Sequence, residues 1–282
     1  MKQYSLNDYL EWVLSEDIGN GDITTDNLIP VDSMSKAQII AKEAGIISGL
    51  QLSEQLISVF SGQLKFIPKV KNGTHVKPGT LIAELEGKTR HILQIERTLL
   101  NFLKKLSGIA SHTHKFVAAV KGHPAKILDT RKTTPGMRVL EKLAVVHGGG
   151  YNHRMGLYDM VLIKENHLAA HKGEPLKEVI DNLRREIPAG TKIELEVHSF
   201  EVLEEALGTD VDIIMLDNFN LEDAAMAVKV VKGAGKHFLT EISGNITLDN
   251  VAVYAATGAD RIAIGAITHS APALDLSLLI RD

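Results

Sequence analysis

The chain has 282 residues, 44% hydrophobic and 23% charged, an ordinary globular composition with room for one large core or two unequal ones. Its formal charge of −4 argues against general nucleic-acid binding, which needs a basic domain or stripe. It contains no cysteine, which excludes disulfides, thiolate catalysis and cysteine-ligated metals and permits a reducing compartment.

The opening "MKQYSLNDYLEWVLSEDIGNGD" carries Glu11, Glu16 and Asp17 through its apolar positions, so it reads as neither a signal peptide nor an anchor. No later run reaches the roughly 18 uninterrupted apolar residues of a spanning helix, and a soluble, cytoplasmic protein is expected. Residues 36–88 alternate short β-like runs with turn signals at Asn72-Gly73 and Pro78-Gly79. "VKNGTHVKPGTLIAELEG" resembles the hairpins of biotinyl and lipoyl carrier domains. It lacks their modifiable lysine in a Met-Lys-Met setting, so a structural β domain is expected. A helix follows, from about 90 to 121, with Ile92, Ile95, Leu99, Phe102, Leu103 and Leu106 in one apolar stripe. Arg97 points away from that stripe, as an ordinary solvated arginine would.

From 125 onward strands alternate with helices. "AKILDT", "MVLIK", "KIELEV", "VDIIMLD", "HFLTEIS" and "DRIAIGA" are short and rich in Val, Ile or Leu, as strands buried on both faces should be. "EPLKEVIDNLRREI", "FEVLEEAL", "LEDAAMAVKVVKG" and "LDNVAVYAATG" supply helices between them. Such units build a parallel sheet, either doubly wound or closed into a barrel.

The C-terminal ends of those strands collect Asp129, Thr130, Arg131 and Lys132, then Lys164, Glu196, Asp217 with Asn218, Glu241 with Ser243-Gly244-Asn245, and Gly265. In a β/α barrel the active site forms at that rim, often with a phosphate site in the last two βα loops, where "ISGNI" and "IGAIT" lie. Arg131, Lys132, Arg154 and Lys164 suit a polyanion. Glu196 and Asp217, at the ends of adjacent strands, would repel that anion unless a divalent cation such as Mg2+ lay between them. A glycosidase-like acid–base pair is the alternative, though surrounding cations would depress both pKa values.

The stretch "DTRKTTPGMRVLEKLAVVHGGGYNHRMGLYDMVLIKENH" concentrates Arg131, Lys132, Arg138, His147, His153, Arg154, Lys164 and His167. Its Gly148-Gly149-Gly150 run does not follow a strand in a GxGxxG pattern, so it suits a sharp turn that delivers His153 and Arg154 rather than a dinucleotide site. His167 and His171, four residues apart, have no third ligand in sequence. Like His112 and His114, they are expected to be surface or capping residues.

"DTRKTTPG", "GGGYNHRMGLYDMVLIKENH", "ELEV", "MLDN", "ISGNI" and "IGAIT", together with "EDIGNGDITTD" and "ERTLLNFLKKLSGIAS", closely resemble the quinolinate phosphoribosyltransferase family, in register over essentially the whole chain. The resemblance implies an N-terminal α/β sandwich domain, residues 1–115, and an incomplete β/α barrel, residues 116–269, with the C-terminal segment from about 270 to 282 packed back on the first domain. It implies transfer of phosphoribose from 5-phosphoribosyl-1-pyrophosphate to quinolinate with Mg2+, yielding nicotinate mononucleotide, pyrophosphate and CO2 in NAD biosynthesis.

By the same resemblance, Arg97, Thr130, Arg131, His153, Arg154 and Lys164 form the quinolinate set. Arg97 comes from the second subunit of a homodimer, and assembly into hexamers is left open. Lys132 meets the phosphoribosyl pyrophosphate, and Glu196 and Asp217 hold Mg2+ and the ribose hydroxyls. Asn218, Ser243, Gly244, Asn245, Ile264, Gly265 and Ala266 complete that site, the last group through backbone amides to the 5-phosphate. His147 reads as tuning its loop rather than binding substrate. The rival readings are a related phosphoribosyltransferase with a different acceptor, as in some molybdate-transport gene clusters, and a non-catalytic polyanion-binding protein on the same barrel. Neither nucleic acid nor membrane is expected as a partner.

Overall fold

The computed structural model describes residues 5–171, 173–236 and 238–281. The chain forms two compact units. The first holds the residues up to His112, the turn His147–Gly149 and the segment from Ala271 on, and the second holds 113–146 and 150–270.

The first unit contains strands β1 (Met34–Ala41), β2 (Gly45–Ile46), β3 (Lys65–Pro68), β4 (His75–Val76) and β5 (Leu81–Lys88). The predicted turns form, with Gly73 and Gly79 at positive φ of 81° and 86° and backbone bonds Thr74 N to Lys71 O and Thr80 N to Lys77 O closing them. The strands around those turns do not make the simple hairpin that their spacing suggests. β4 pairs with β2, while β5 lies antiparallel between β1 and β3. The predicted long helix runs Thr89–Ala119, and all six residues of its expected stripe are buried while Arg97 is exposed. Each such apolar side chain taken from water contributes about 1.5–3 kcal/mol, so the stripe is a main support of this unit.

The second unit is built on β6 (Lys126–Leu128), β7 (Val161–Ile163), β8 (Ile193–Val197), β9 (Ile213–Asp217), β10 (Leu239–Ser243) and β11 (Arg261–Ala263). All six fall inside the predicted runs. They form one sheet in the order β6-β11-β10-β9-β8-β7 with every pairing parallel. Helices Leu176–Glu186, Phe200–Leu207, Leu221–Gly233 and Val251–Ala256 occupy the predicted connections. The first strand pairs with the last, as in a barrel, but β6 and β7 do not pair with each other among the described residues. The barrel is therefore incomplete, with its opening at the β6–β7 connection.

The segment after Ala271 belongs to the first unit and ends in β12 (Leu276–Arg281), antiparallel to β1. On its way Leu274 N donates to Lys104 O at 2.9 Å, and the backbone passes close over Gly108 of the long helix. A Cβ at Gly108 would sit 2.1 Å from Pro272 O and 3.0 Å from Ala273 Cα, backbone that cannot swing aside as a side chain would. Gly108→Ala should therefore lower stability by about 1–3 kcal/mol, the usual range for overpacking, read as a drop in Tm or in the urea midpoint.

Candidate active site

The path of residues 129–160 builds the site. After β6 the chain leaves the sheet, forms the helix Arg138–His147, turns at the glycines and returns beside β6 at Tyr151. Tyr151 N donates to Ile127 O at 2.8 Å and Asp129 N to Tyr151 O at 3.1 Å, a parallel bridge that extends the sheet by one residue. Gly150 is needed at the return, since a Cβ there would meet Thr113 Cγ2 at 2.7 Å and Val145 Cγ1 at 2.8 Å. The bridge delivers Asn152, His153 and Arg154 to the C-terminal ends of the strands.

A buried ion pair fixes this return. Asp129 and Lys142 have no exposed side-chain surface, and the Lys142 ammonium is in direct contact with Asp129 Oδ1. Lys142 Nζ also donates to His153 O at 3.0 Å, and His153 N donates to Asp129 Oδ1 at 2.8 Å. With its amide nitrogen turned toward Asp129, Asn152 donates to Asp129 Oδ2 at 2.7 Å and to Lys142 O at 2.9 Å. Burial raises the Asp129 pKa and lowers that of Lys142, and each partner's charge offsets the other's desolvation. Arg138, counted in sequence as part of the local positive charge, braces the loop through Thr133 Oγ1, Met155 O and Arg131 O.

A pocket of about 350 Å3 opens at the strand ends. Its walls bring together Thr130, Arg131 and Lys132 after β6, His153 and Arg154 from the return loop, and Lys164 after β7. Glu196, Asp217 and Ser243 close it from the neighbouring strands. Arg131 Nε is buried with no hydrogen-bond partner, a donor placed for an acid that would enter from the pocket. Arg154 is held through its Nη1, which donates to Met160 O at 3.0 Å. Lys164 pairs closely with Glu196. Burial, and then the charge of Glu196, raises the pKa of Asp217, a repulsion that a divalent cation between the two carboxylates would relieve. The donor set fits Mg2+.

The loops after β9 and β10 meet beside Asp217. Asn218 and Asn245 are the only described residues other than glycine with positive φ, 58° and 52°, and backbone strain of this kind gathers at functional sites. Asn218 Nδ2 donates to Asp217 Oδ2 at 2.7 Å and Asn245 Nδ2 to Asn218 Oδ1 at 3.0 Å. Gly244 has φ 95°, and a Cβ there would lie 2.2 Å from Asn218 Oδ1. Gly265 packs under Lys132, whose Cδ would stand 3.0 Å from a Cβ at that glycine. Gly265 and Ala266 open the short helix Ala266–His269. Ile264 differs from the expectation: its amide donates to Leu128 O at 2.9 Å, so it serves the sheet and is not available to a phosphate.

Arg97 lies in the first unit, exposed on the long helix, in a shallow cleft with Asp17, Asp22, Ile23 and Gln94. Of the histidines, His147 Nδ1 lies 2.8 Å from Ser48 Oγ, consistent with a role in shaping its loop. His167 accepts from Lys164 N at 2.9 Å, the capping role expected of it.

Beneath the pocket floor His153 and Glu241 meet Glu194, which its strand alone did not single out. His153 Nε2 stands 3.0 Å from Glu194 Oε2 and 3.3 Å from Glu241 Oε1, and both glutamates are fully buried. Burial lowers the imidazole pKa, but the two carboxylates outweigh it and raise it to about 9. Burial and the neighbouring Glu194 push Glu241 up to about 7. On the other side of the ring, Arg154 N donates to His153 Nδ1 at 2.7 Å, which favours a ring with its proton on Nε2. The two influences pull in opposite directions: Nδ1 can accept the Arg154 amide only in the neutral ring, whereas the carboxylates favour the imidazolium. In both forms Nε2–H faces the glutamates. A signal existed in sequence: Glu194 and Glu241 lie two residues before Glu196 and Ser243, so strand alternation puts them on the same inward face.

The family described as quinolinate phosphoribosyl transferase matches through its N-terminal domain at residues 22–107 and its C-terminal domain at 109–279. The chain is 39% identical over 272 residues to a probable nicotinate-nucleotide pyrophosphorylase [carboxylating] of Synechocystis, covering 96% of this chain and 91% of that one. It is 42% identical to a mitochondrial quinolinate phosphoribosyltransferase [decarboxylating] of Nicotiana tabacum, covering 98% and 82%. Its fold superposes on the crystal structure of NadC from Streptococcus pyogenes with a TM-score of 0.91 at 36% identity, covering all of both chains. Fold and pocket together define a phosphoribosyltransferase of the incomplete-barrel class. The chain belongs to the quinolinate phosphoribosyl transferase family.

Removing one partner of the buried Asp129–Lys142 pair leaves an uncompensated charge. Lys142→Met or Asp129→Asn alone should cost about 3–5 kcal/mol, and the double variant should recover part of that loss. Urea denaturation of the three variants checks it.

Proposed function

We infer that the protein transfers the 5-phosphoribosyl group from 5-phosphoribosyl-1-pyrophosphate to quinolinate with decarboxylation, giving nicotinate mononucleotide, pyrophosphate and CO2 for NAD biosynthesis. The observation that carries this reading is the pocket's charge pattern: Arg131, Lys132, Arg154 and Lys164 face a wall formed by Glu196 and Asp217. A pyridine dicarboxylate and a polyphosphate are both polyanions, and a divalent cation held by Glu196 and Asp217 would reconcile the two acids with the four cations.

In this reading Arg131, Arg154 and Lys164, with Thr130, hold the quinolinate carboxylates, and Lys164 exchanges Glu196 for substrate. The pyridine nitrogen attacks the anomeric carbon as the bond to pyrophosphate breaks. The 2-carboxylate then leaves as CO2, and its electron pair rests beside the cationic ring nitrogen until a proton replaces it. Little proton transfer is needed before that point, so the side chains act by positioning and by charge. Glu196 and Asp217 are the proposed Mg2+ ligands, and when bound the ion offsets charge on the leaving pyrophosphate. Lys132 packs over Gly265 and in this reading reaches the phosphoribosyl pyrophosphate, while Ser243, Gly244, Asn245, Gly265 and Ala266 suit the 5-phosphate. The proposed compartment is the cytoplasm, in keeping with a chain that has no cysteine.

The proposed assembly is a homodimer in which Arg97 of each copy completes the quinolinate pocket of the other. Arg97 is exposed on the face opposite its helix's buried stripe, next to Ile23, which is 84% exposed.

A product assay with quinolinate or nicotinate as acceptor, with Mg2+ and with a chelator, tests the reaction. Nicotinate mononucleotide and CO2 should form from quinolinate and phosphoribosyl pyrophosphate only when Mg2+ is present. Pyrophosphate release independent of either acid would sink the acceptor assignment. In that assay Arg131→Ala should raise the quinolinate KM about 10- to 100-fold, the scale of a lost charge-assisted hydrogen bond, with the phosphoribosyl pyrophosphate KM little changed. Arg97→Ala and Lys132→Ala should each be nearly inactive. If sites are shared across a two-fold dimer, mixing and reassembling the two should restore about a quarter of wild-type activity. No recovery would mean that each chain uses its own Arg97 or none.

A further inference from the structure

The interior of a β/α barrel is normally filled by layers of branched apolar side chains. Here the interior holds Glu194 on β8 and Glu241 on β10, with the His153 ring inserted from the return loop and the half-buried Arg261 on β11 beside Glu241. The glutamates have no exposed surface, and the His153 side chain has 5%. Nε2 sits between the two carboxylates, close to both but aligned for a hydrogen bond with neither, and among the described residues none of their four oxygens has a hydrogen-bond partner. Arg261 Nη1, at 3.7 Å from Glu241 Oε2, is the second nearby cation. Ionisable groups buried this way cost free energy unless they are paired and hydrogen-bonded, so a purely space-filling role explains them poorly.

The contacts on His153 show how the ring is held. The backbone N–H and C=O of His153 are clamped by Asp129 and Lys142, Nδ1 takes the Arg154 amide, and Nε2 is drawn down toward the glutamates. Neither ring nitrogen is turned to the pocket. The ring is a strut, and the residue on its upper end is Arg154.

We propose that Glu194 and Glu241 are positioning residues for acceptor binding, acting through the His153 ring to hold Arg154 beneath the quinolinate carboxylates. This rests on the reading of the pocket given above, with His153 acting as part of the frame. It assigns the two buried acids a part in acceptor recognition and none in binding phosphoribosyl pyrophosphate, whose proposed ligands stand on other side chains.

Glu241→Gln, Glu194→Gln and His153→Gln, singly and with Glu241→Gln combined with His153→Gln, test it by quinolinate titration calorimetry and steady-state kinetics. Each single variant should weaken quinolinate binding about 10-fold or more, the size of one charge-assisted hydrogen bond, while the phosphoribosyl pyrophosphate KM shifts less than about twofold. The double variant should be no worse than His153→Gln alone, because the glutamates act through that ring. Equal losses for both substrates, additive losses in the double variant, or quinolinate binding unchanged in all variants would each overturn the proposal. So would a stoichiometric metal in the purified wild type that Glu241→Gln removes, since the three groups would then be its ligands. If Glu241→Gln does not fold, Glu194→Gln with its own His153→Gln double carries the same comparison. Wild-type protein that neither binds nor consumes quinolinate would overturn the reading of the pocket itself.

Discussion

The site depends on one buried ion pair. Asp129 stands at the end of β6 and Lys142 on the helix thirteen residues later, and together they hold both backbone polar groups of His153. Beyond the Tyr151 bridge, that clamp is what holds the chain after the triple glycine against the end of β6. Desolvation pulls both groups toward neutrality, and the pair survives in the core because each charge answers the other and the remaining capacity is spent on His153 and Asn152. The interaction costs more than an apolar pair of the same size would. What it contributes is a single geometry for the loop carrying His153 and Arg154.

Electrostatics then works in layers. The pocket gathers four side chains of positive charge that would repel one another in the absence of ligand, and acids stand against them at two depths. Lys164 rests on Glu196 at the surface of the pocket, while His153 rests on Glu194 and Glu241 below it. The outer acid is partly exposed and can give up its lysine to a substrate carboxylate. The inner acids are fully buried and cannot follow. Exchangeable contacts thus sit above fixed ones, which lets a dianion enter without the floor of the site moving.

Much of this was legible in sequence, for identifiable reasons. A strand buried on both faces must be a short apolar run, so all six barrel strands could be marked from "AKILDT" to "DRIAIGA". The 3.6-residue stripe marked the long helix to within two residues of each end. Reading each strand to its polar end collected most of the pocket, because adjacent parallel strands deliver their C-termini to one rim. Pairing partners were not legible: nothing local in "VKNGTHVKPGTLIAELEG" says that β4 joins β2 while β5 joins β1 and β3. Lys142 and Arg138 look in sequence like surface charge, and only the tertiary path brings Asp129, Met155 O and Arg131 O to them. Ile264 shows the same limit at the level of one amide, which the sheet had already claimed.

The missing pairing of the barrel and the position of the site are two aspects of one arrangement. A closed barrel would pair β6 with β7 and leave no room there, whereas here β6 is an edge strand with unpaired backbone on its open side. The return loop covers that edge with the Tyr151 bridge, and Lys126 Nζ lies over the Tyr151 ring, 4.8 Å from its centroid. One extra residue of sheet is enough to satisfy the edge locally and to set the direction in which Asn152, His153 and Arg154 leave it. The backbone bonds that a further strand pair would have made are replaced by side-chain clamps from Asp129 and Lys142, which fix the loop while leaving its pocket face free of regular structure. A gap in the sheet thereby becomes the wall that carries His153 and Arg154, and the paired strands β8 and β9 contribute the two carboxylates to the same pocket.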